Sequence, residues 1–355
     1  MTALPDYRPR FPDDRSGVAV LGCGTIARAA HLPAYRDHGV GVRGVWSRRS
    51  EATAGIRDEF PVVERVYADV RDLLDDPEVR IVDIATGPIG RLAWIEAAIK
   101  AGKHVLAQKP LVATAGDLAA LPAVLRLAED AGVTVAVNHN GRWAPAWRLA
   151  TLLVRDGAVG DVVGVTHLHD KQLPPLAGTP FDDVDHMLVT DYLLHWIDIS
   201  RTWLAPADVT TVQAVDSRVP GQDPAARNPW SATVHLSTSV GSSASVRIVG
   251  DVVASSPGCP FWIHGTEGTL RGSVLMGSDA LVLDRDGHQD QLPLTGAWFV
   301  DGFAGAMGEL MSALAEGREP ENAASDAAES VRLMLAAHES AADGGRPARV
   351  EAGPG

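Results

Sequence analysis

The chain has 355 residues, and a length of this order predicts about two domains. With 46% hydrophobic and 21% charged residues, the composition is typical of a globular protein and excludes a mainly disordered or collagen-like chain. The net charge of -14 would repel a phosphate backbone, so nucleic acid is excluded as the expected partner.

Cysteine spacing and hydropathy exclude further classes of protein. Cys23 and Cys259 lie far apart and belong to no CxxC pair or Cys/His cluster, so we expect neither a disulfide framework nor a metal site. Residues 1–16 lack the apolar core of a signal peptide, and no apolar run approaches the roughly 20 residues that span a bilayer. We therefore expect a cytoplasmic protein without a membrane partner.

Strands and helices are predicted to alternate from residue 18 to residue 137. The predicted strands are 18–21, 41–46, 81–85, 104–107 and 133–137. The predicted helices between them are 25–37, 51–60, 69–74, 92–101 and 115–131. This alternation is typical of a doubly wound parallel sheet, so we assign 17–138 to a Rossmann domain, preceded by a flexible N-terminal tail over 1–16.

A different pattern follows residue 140, where β-branched, alternating segments predict mainly antiparallel strands. The predicted strands are 162–169, 209–219, 231–238, 242–249, 261–265, 269–274 and 280–283. Helices are predicted over 145–156, 188–204, 302–315 and 325–342. We assign 139–343 to an α/β domain with one large open sheet, used for substrate binding and oligomerisation, and 344–355 to a C-terminal tail.

A glycine-rich turn follows the first predicted strand. Gly22, Gly24, Thr25 and Ile26 belong to a GxGxxA pattern that opens a helix, and small residues there let the backbone approach a pyrophosphate. In isolation, such a glycine pair is equally compatible with a simple tight turn. Its position after the first strand of an alternating domain favours dinucleotide binding.

The end of the second predicted strand bears on the choice of dinucleotide. An acidic residue there would bind the ribose hydroxyls of NAD, but Ser47, Arg48 and Arg49 occupy this position. Hydroxyl and guanidinium groups suit a 2′-phosphate. We therefore favour NADP(H) and keep NAD(H) as the alternative. A solvated arginine pair at a helix start would explain the same residues.

Three further side chains could carry proton-transfer chemistry. Lys109 follows the fourth strand, at the edge where open α/β sheets bind ligands, although a lysine there could equally be a surface charge. Asp191 and His195 are four residues apart in a predicted helix, so both side chains lie on one face. That pair suits proton transfer, but a core histidine partnered by Asp198 is an alternative.

Taken together, these segments resemble the Gfo/Idh/MocA oxidoreductases, the family of glucose-fructose oxidoreductase and inositol 2-dehydrogenase. The resemblance rests on VAVLGCGTIARAAHLPA (Val18 to Ala34), AGKHVLAQKPL (Ala101 to Leu111), GRW-P (Gly141 to Pro145), GAVGDV (Gly157 to Val162), DYLLHWID (Asp191 to Asp198) and HGTEGTL (His264 to Leu270). It implies a Rossmann domain followed by an α/β domain whose exposed sheet face forms homodimers or homotetramers.

The resemblance also implies roles for individual residues. Lys109, Asp191 and His195 match the family's catalytic set, with Lys109 polarising the reacting oxygen, His195 as general acid or base and Asp191 as its partner. Thr86, Gln108 and Lys109 match cofactor contacts. Gln108 replaces the usual Glu, which removes a negative charge beside Lys109. The segment 86–91 lacks the histidine usual in this family, so the chain departs from the family pattern on the nicotinamide side.

Substrate contacts are predicted from polar residues of the second domain. The candidates are Asn140, Arg142, His169 and Lys171, together with His167, which shares one strand face with His169. For Arg142 the alternative is packing at the domain junction, and for the two histidines it is a solvated or packed pair. Most of the nine tryptophans are expected in the core.

The sequence thus predicts a dehydrogenase or reductase that transfers hydride between NAD(P) and a hydroxyl or ketone of a sugar, sugar derivative or cyclitol. Two alternatives remain open. Some relatives of this family keep NAD bound and cleave a glycosidic bond, and others bind a dinucleotide as non-catalytic sensors. A complete set of Lys109, Asp191 and His195 argues against a sensor.

Overall fold

The computed structural model describes residues 4–170, 177–179, 181–250, 258–277 and 279–350. These residues form two compact units. The five-stranded unit comprises Arg8–Trp143 and Trp298–Ala328. The nine-stranded unit comprises the remaining described residues.

The five-stranded unit is built on a parallel sheet. Its strands are β1 (Val18–Leu21), β2 (Val42–Trp46), β3 (Ile81–Ile84), β4 (His104–Gln108) and β5 (Val135–Asn138), in the order β2-β1-β3-β4-β5. Leu21 lies opposite Trp46 and Ile84, and Ile84 opposite Ala107. The carboxyl ends of four strands therefore lie side by side at one sheet edge, as the predicted doubly wound fold requires.

Helices connect these strands. They are α1 (Leu32–Asp37, after a π-helical turn Ala27–His31), α2 (Ile56–Glu59), α3 (Val70–Asp75), α4 (Arg91–Lys100) and α5 (Ala115–Asp130). The side chains of Asp69 and Thr114 cap α3 and α5 by accepting backbone N–H groups. The prediction of one helix over 51–60 is wrong, because Gly55 adopts a φ of 65° and separates a 3-10 turn, Ser50–Thr53, from α2.

The nine-stranded unit contains a mainly antiparallel sheet, in the order β13-β12-β11-β10-β6-β9-β8-β7-β14. Its strands are β6 (Val162–His169), β7 (Val209–Ser217), β8 (Ser231–Thr238), β9 (Ser243–Val249), β10 (Pro260–Gly265), β11 (Gly268–Ser273), β12 (Ala280–Arg285), β13 (His288–Leu292) and β14 (Ala348–Arg349). Only β6 and β9 pair in parallel among these described strands. Strands β13 and β14 were not predicted from the sequence.

Helices α6 (Pro145–Arg155) and α7 (Leu194–Leu204) pack on one face of this sheet. Buried and half-exposed residues alternate along β8 and β9, so the described residues leave the opposite face largely uncovered. The helix predicted over 188–204 is interrupted, because a π-helical turn Leu188–Tyr192 precedes α7. None of the helices formed by the described residues has the length and apolar character needed to cross a membrane.

The structure differs from the predicted boundaries at residues 139–143 and 298–328, which belong to the five-stranded unit and not to the second. Helix α8 (Phe303–Glu316) shares a core with β1 and α1, and Phe303 is fully buried there. A Cβ on Gly305 would overlap the Trp143 side chain, so only glycine permits this approach. Helix α9 (Ala324–Ala342) follows.

The chain ends also pack on the units. Tyr7 donates to the Thr295 side chain or accepts from it at 3.3 Å, and the Phe11 ring lies 5.7 Å from that of His38. At the other end β14 adds to the sheet beside β7. The described parts of the two predicted tails, 4–16 and 344–350, therefore have defined contacts.

Candidate active site

The glycine-rich turn lies at the carboxyl edge of the parallel sheet, between β1 and the helical turn that precedes α1. Gly22 has a φ of 102°, and a Cβ there would lie 3.1 Å from the Ala85 carbonyl carbon. Gly24 has open space where a Cβ would be. Thr25 is exposed, while Ile26 is half-buried against the core. Backbone and helix start are thus accessible to an anionic group, as dinucleotide binding needs.

The end of β3 supplies an unsatisfied polar group beside this turn. The Oγ1 atom of Thr86 is buried and has no hydrogen-bond partner among the described residues. Its Cγ2 atom would lie 3.1 Å from a Cβ on Gly22, so the hydroxyl belongs to the same pocket edge. Because buried hydroxyls are normally hydrogen-bonded, a bound group is expected to complete this one. The residues present fit a dinucleotide.

The end of β2 supplies free cations. Arg48 and Arg49 are exposed, and neither forms an ion pair with any residue the structure describes. By contrast, Arg28 pairs with Glu59, and Arg43 pairs with Glu64 at 2.6 Å. Ser47 is half-buried beside Arg48. The two free guanidinium groups can therefore bind a phosphate without breaking an existing pair.

The end of β4 holds the predicted catalytic lysine. Lys109 is half-buried, and its backbone N–H donates to Oε1 of the buried Gln108 at 3.0 Å. The guanidinium of Arg91 donates to the backbone carbonyls of Thr86, Gln108 and Pro110. Sequence reasoning missed Arg91, because its hydrogen-bond partners are backbone carbonyls.

Asp191 and His195 lie in the nine-stranded unit. Asp191 is in the π-helical turn, where the Leu193 N–H donates to the Leu188 carbonyl at 2.8 Å, and His195 is in the first turn of α7. Both side chains are half-buried. Whether the pair acts in proton transfer stays a prediction.

Tyr192 and Trp196, which directly follow Asp191 and His195, pack against their surroundings and anchor this helical segment. The Tyr192 hydroxyl lies 2.9 Å from Nε2 of His169, and the rings of Tyr192 and Trp196 stack at 5.4 Å. Burial raises the pKa of Tyr192, so its hydroxyl stays protonated. Because Asp191 and His195 each precede an anchored aromatic residue, their backbone positions are fixed by this packing.

The predicted substrate histidines are both buried. His167 and His169 lie on the same face of β6, as predicted, with 1% and 0% exposure. His167 stacks on Trp203 at 5.5 Å, and neither of its ring nitrogens has a hydrogen-bond partner among the described residues. Burial lowers the pKa of His167 to about 3. This environment favours the packing alternative for both histidines.

Asn140 and Arg142 are held inside the five-stranded unit. Asn140 Oδ1 accepts from Trp298 Nε1 at 2.7 Å, and Arg142 Nη2 donates to Asp326 at 2.6 Å. These contacts favour a structural role over substrate binding. Lys171 lies outside the described residues. Within the described ranges, no cluster of three or more His, Cys, Asp or Glu residues could hold a metal ion.

Comparison with known proteins places both halves of the chain in one family. Residues 16–139 match the model of the Gfo/Idh/MocA oxidoreductase family, NAD-binding Rossmann fold, and residues 147–271 match the Gfo/Idh/MocA C-terminal domain.

Two curated relatives act on small sugars. The chain is 27% identical to 1,5-anhydro-D-fructose reductase of Ensifer adhaerens over 94% of its own length and 98% of that protein. It is 32% identical to D-apiose dehydrogenase of Paraburkholderia graminis over 57% of its own length and 52% of that protein.

The fold is shared with solved structures. An oxidoreductase from Agrobacterium radiobacter, in complex with NAD+, L-tartaric acid and magnesium, superposes with a TM-score of 0.81 at 23% identity, over 95% of this chain and 98% of that one. This likeness confirms the predicted fold class of a parallel sheet joined to a large, mainly antiparallel sheet.

Proposed function

This chain belongs to the Gfo/Idh/MocA family of NAD(P)-dependent oxidoreductases, and from that membership we propose that it transfers hydride between a nicotinamide dinucleotide and a hydroxyl or ketone of a sugar, sugar derivative or cyclitol. The substrate class is supported by relatives named for D-apiose and 1,5-anhydro-D-fructose. One observation supports dinucleotide binding most directly: a glycine turn and the orphaned Thr86 hydroxyl meet at one sheet edge.

In this proposal the pyrophosphate lies over Gly22 and Gly24, where the backbone is open and the helix start favours negative charge. Thr25 and Ile26 provide backbone N–H groups, and the hydroxyl of Thr86 donates to the bound group. Gln108 faces the same edge and fixes the backbone of Lys109.

For the cofactor we propose a preference for NADP(H) over NAD(H). A 2′-phosphate would find Ser47 as a hydrogen-bond donor and Arg48 and Arg49 as free cations. No carboxylate follows β2 directly, so the group that would bind a ribose 2′-hydroxyl is missing at 47–49.

When bound, the nicotinamide supplies the carbon that accepts or donates hydride. We propose that Lys109 polarises the reacting oxygen and that His195 takes the hydroxyl proton during oxidation and returns it during reduction. Asp191 is assigned to orient the imidazole or a substrate hydroxyl. These roles rest on the family resemblance and on the half-buried position of each side chain.

The partner of the nine-stranded sheet is proposed to be a second copy of this chain, giving a homodimer or homotetramer. A band of non-buried side chains, Trp262, Thr166, Ser245 and His235, runs across four neighbouring strands on the uncovered face. Such a mixed polar face is suited to burial against another sheet. Thr166→Arg should lower the particle mass in light scattering, and an unchanged mass would refute the interface.

The first test is a titration with NADPH and NADH, followed by tryptophan fluorescence. Trp46 ends β2, and its ring lies 5.5 Å from that of Trp94, so bound dinucleotide should quench this pair. Binding is then followed by an absorbance screen with D-apiose, 1,5-anhydro-D-fructose and cyclitols. Free sugar released from a glycoside without net absorbance change would indicate glycoside cleavage. Dinucleotide binding without any turnover would indicate a sensor, and no binding would refute the proposal.

A further inference from the structure

Arg91 links the ends of two neighbouring strands. It is the first residue of α4, its side chain has 0% exposure, and its guanidinium donates to the carbonyl oxygens of Thr86, Gln108 and Pro110. Thr86 lies two residues after β3, whereas Gln108 ends β4. One side chain therefore connects both strand ends at the proposed nicotinamide edge.

A buried guanidinium needs its donors satisfied, because a desolvated cation without partners is strongly unfavourable. At Arg91, carbonyl oxygens from three peptide groups accept from the two terminal nitrogens, Nη1 and Nη2. Because the buried guanidinium needs these acceptors, it also holds the strand ends in place. A shift of either strand end away from the guanidinium would break a charge-assisted hydrogen bond inside the protein, so the arrangement resists displacement.

The bonded carbonyls enclose Lys109 in the chain. The Gln108 carbonyl belongs to the peptide group that contains the Lys109 nitrogen, and the Pro110 carbonyl belongs to the residue directly after Lys109. The Gln108 side chain holds the Lys109 N–H from a third direction. A lysine side chain is long and flexible, so the position of its ammonium depends on how firmly its backbone is held.

We propose that Arg91 is a positioning residue for Lys109: it fixes the main chain on both sides of Lys109 to the end of β3. The role of Lys109 in catalysis rests on the proposed function, whereas the link between Arg91 and Lys109 does not. Arginine suits this task because its planar fork offers five donors. Lysine offers three donors from one nitrogen, and histidine at most two, so neither can span the carbonyls in the same way.

The first experiment needs no substrate. The chain contains four lysines, so reductive methylation followed by peptide mass spectrometry can measure each labelling rate. Lys100, exposed on α4, is the internal reference. Arg91→Met should raise the ratio of Lys109 to Lys100 labelling by about tenfold, because the backbone of Lys109 is released.

Arg43→Met is the matched control. Arg43 lies in the same unit and also has several partners, among them Glu64 at 2.6 Å, but it is the second residue of β2, away from the carboxyl edge. This control should change the labelling ratio less than about twofold. An unchanged ratio in Arg91→Met would overturn the proposal. If Arg91→Met does not fold, Arg91→Lys decides, with a raised ratio in support and the wild-type ratio against.

The second experiment uses the substrate found in the absorbance screen. Arg91→Met or Arg91→Lys should lower kcat by about 100-fold, since small misplacements of a catalytic group have effects of this size, while Kd for the dinucleotide changes less than about threefold. Equal losses in kcat and dinucleotide affinity would show general collapse of the edge and overturn a specific role. If no sugar or cyclitol turns over, the proposed function fails and the labelling ratio alone decides this inference.

Discussion

Replacing His167 with Phe should make the stability of the nine-stranded unit less dependent on pH. The imidazole is fully buried and lies against the rings of Trp203, Trp147 and Phe261 at 5.5, 5.6 and 6.0 Å. No described residue offers its nitrogens a hydrogen bond. A charge on this ring would be desolvated, and burial accordingly lowers the pKa of His167 to about 3.

The direction and magnitude of this pH effect on stability follow from proton linkage between the folded and unfolded states. In the unfolded chain the pKa of His167 is about 6.5, so the unfolded state takes up the proton first as the pH falls. The stabilisation from the neutral ring is therefore present above pH ~6.5 and is lost toward pH ~3, at about 1.4 kcal/mol per unit. Between pH 7 and pH 4.5 the loss is about 2.5 kcal/mol.

Urea unfolding at these two pH values, followed by the fluorescence of the buried tryptophans, measures the effect. His167→Phe keeps the ring volume, so the free energy of unfolding at pH 7 should change by less than about 1.5 kcal/mol. Its fall on acidification should be about 2.5 kcal/mol smaller than in wild type. Phe261→Leu, a neighbour without a titratable group, should lower stability equally at both values. The same pH dependence in wild type and His167→Phe would refute the reasoning.

Four further substitutions test the site and its support. His195→Ala should lower kcat by about 100-fold and leave dinucleotide Kd nearly unchanged in fluorescence titrations, and near-normal turnover would contradict its role. Arg48→Ala should raise Kd for NADPH about tenfold more than for NADH, whereas equal changes would show that it does not contact a 2′-phosphate. Gly24→Ala should fold normally by circular dichroism, because its Cβ meets no protein atom, but lose dinucleotide affinity; retained affinity would place the pyrophosphate elsewhere. Asp182→Ala should cost about 2 kcal/mol of stability in urea unfolding, because it removes the buried carboxylate that accepts the N–H groups of Arg227 and Asn228 at 2.9–3.0 Å.

The parallel sheet could be predicted from short segments of sequence, because each buried strand carries its own apolar run. The run 18–21 is fully buried, and a strand covered on both faces must be continuously apolar. The same reasoning missed β13, whose His288, Gln289, Asp290 and Gln291 are all exposed, because an edge strand needs no apolar face. Residues 298–328 could not be assigned to the right unit, since their packing depends on contacts far away in the chain.

The candidate site was predictable where a residue type carries the chemistry by itself. Gly22 has the positive φ that its motif requires, and the residues at 47–49 lie at the strand end where they were expected. The contribution of Arg91 was not predictable, because its partners are backbone carbonyls and leave no mark on the sequence. The burial of His169 was hidden for a related reason: period two predicts a shared face but not what covers it.

Because residues 298–328 pack in the five-stranded unit, the order of synthesis determines when this unit can finish folding. Phe303, Met307 and Leu310 share one core with Val18 and Val20. A ribosome that has released residues 8–143 has therefore made the entire parallel sheet but not the helix that seals its core. Residues 144–297 are therefore translated before the parallel sheet can bury its core, so stable folding of the five-stranded unit is expected only after residues 298–328 have been made.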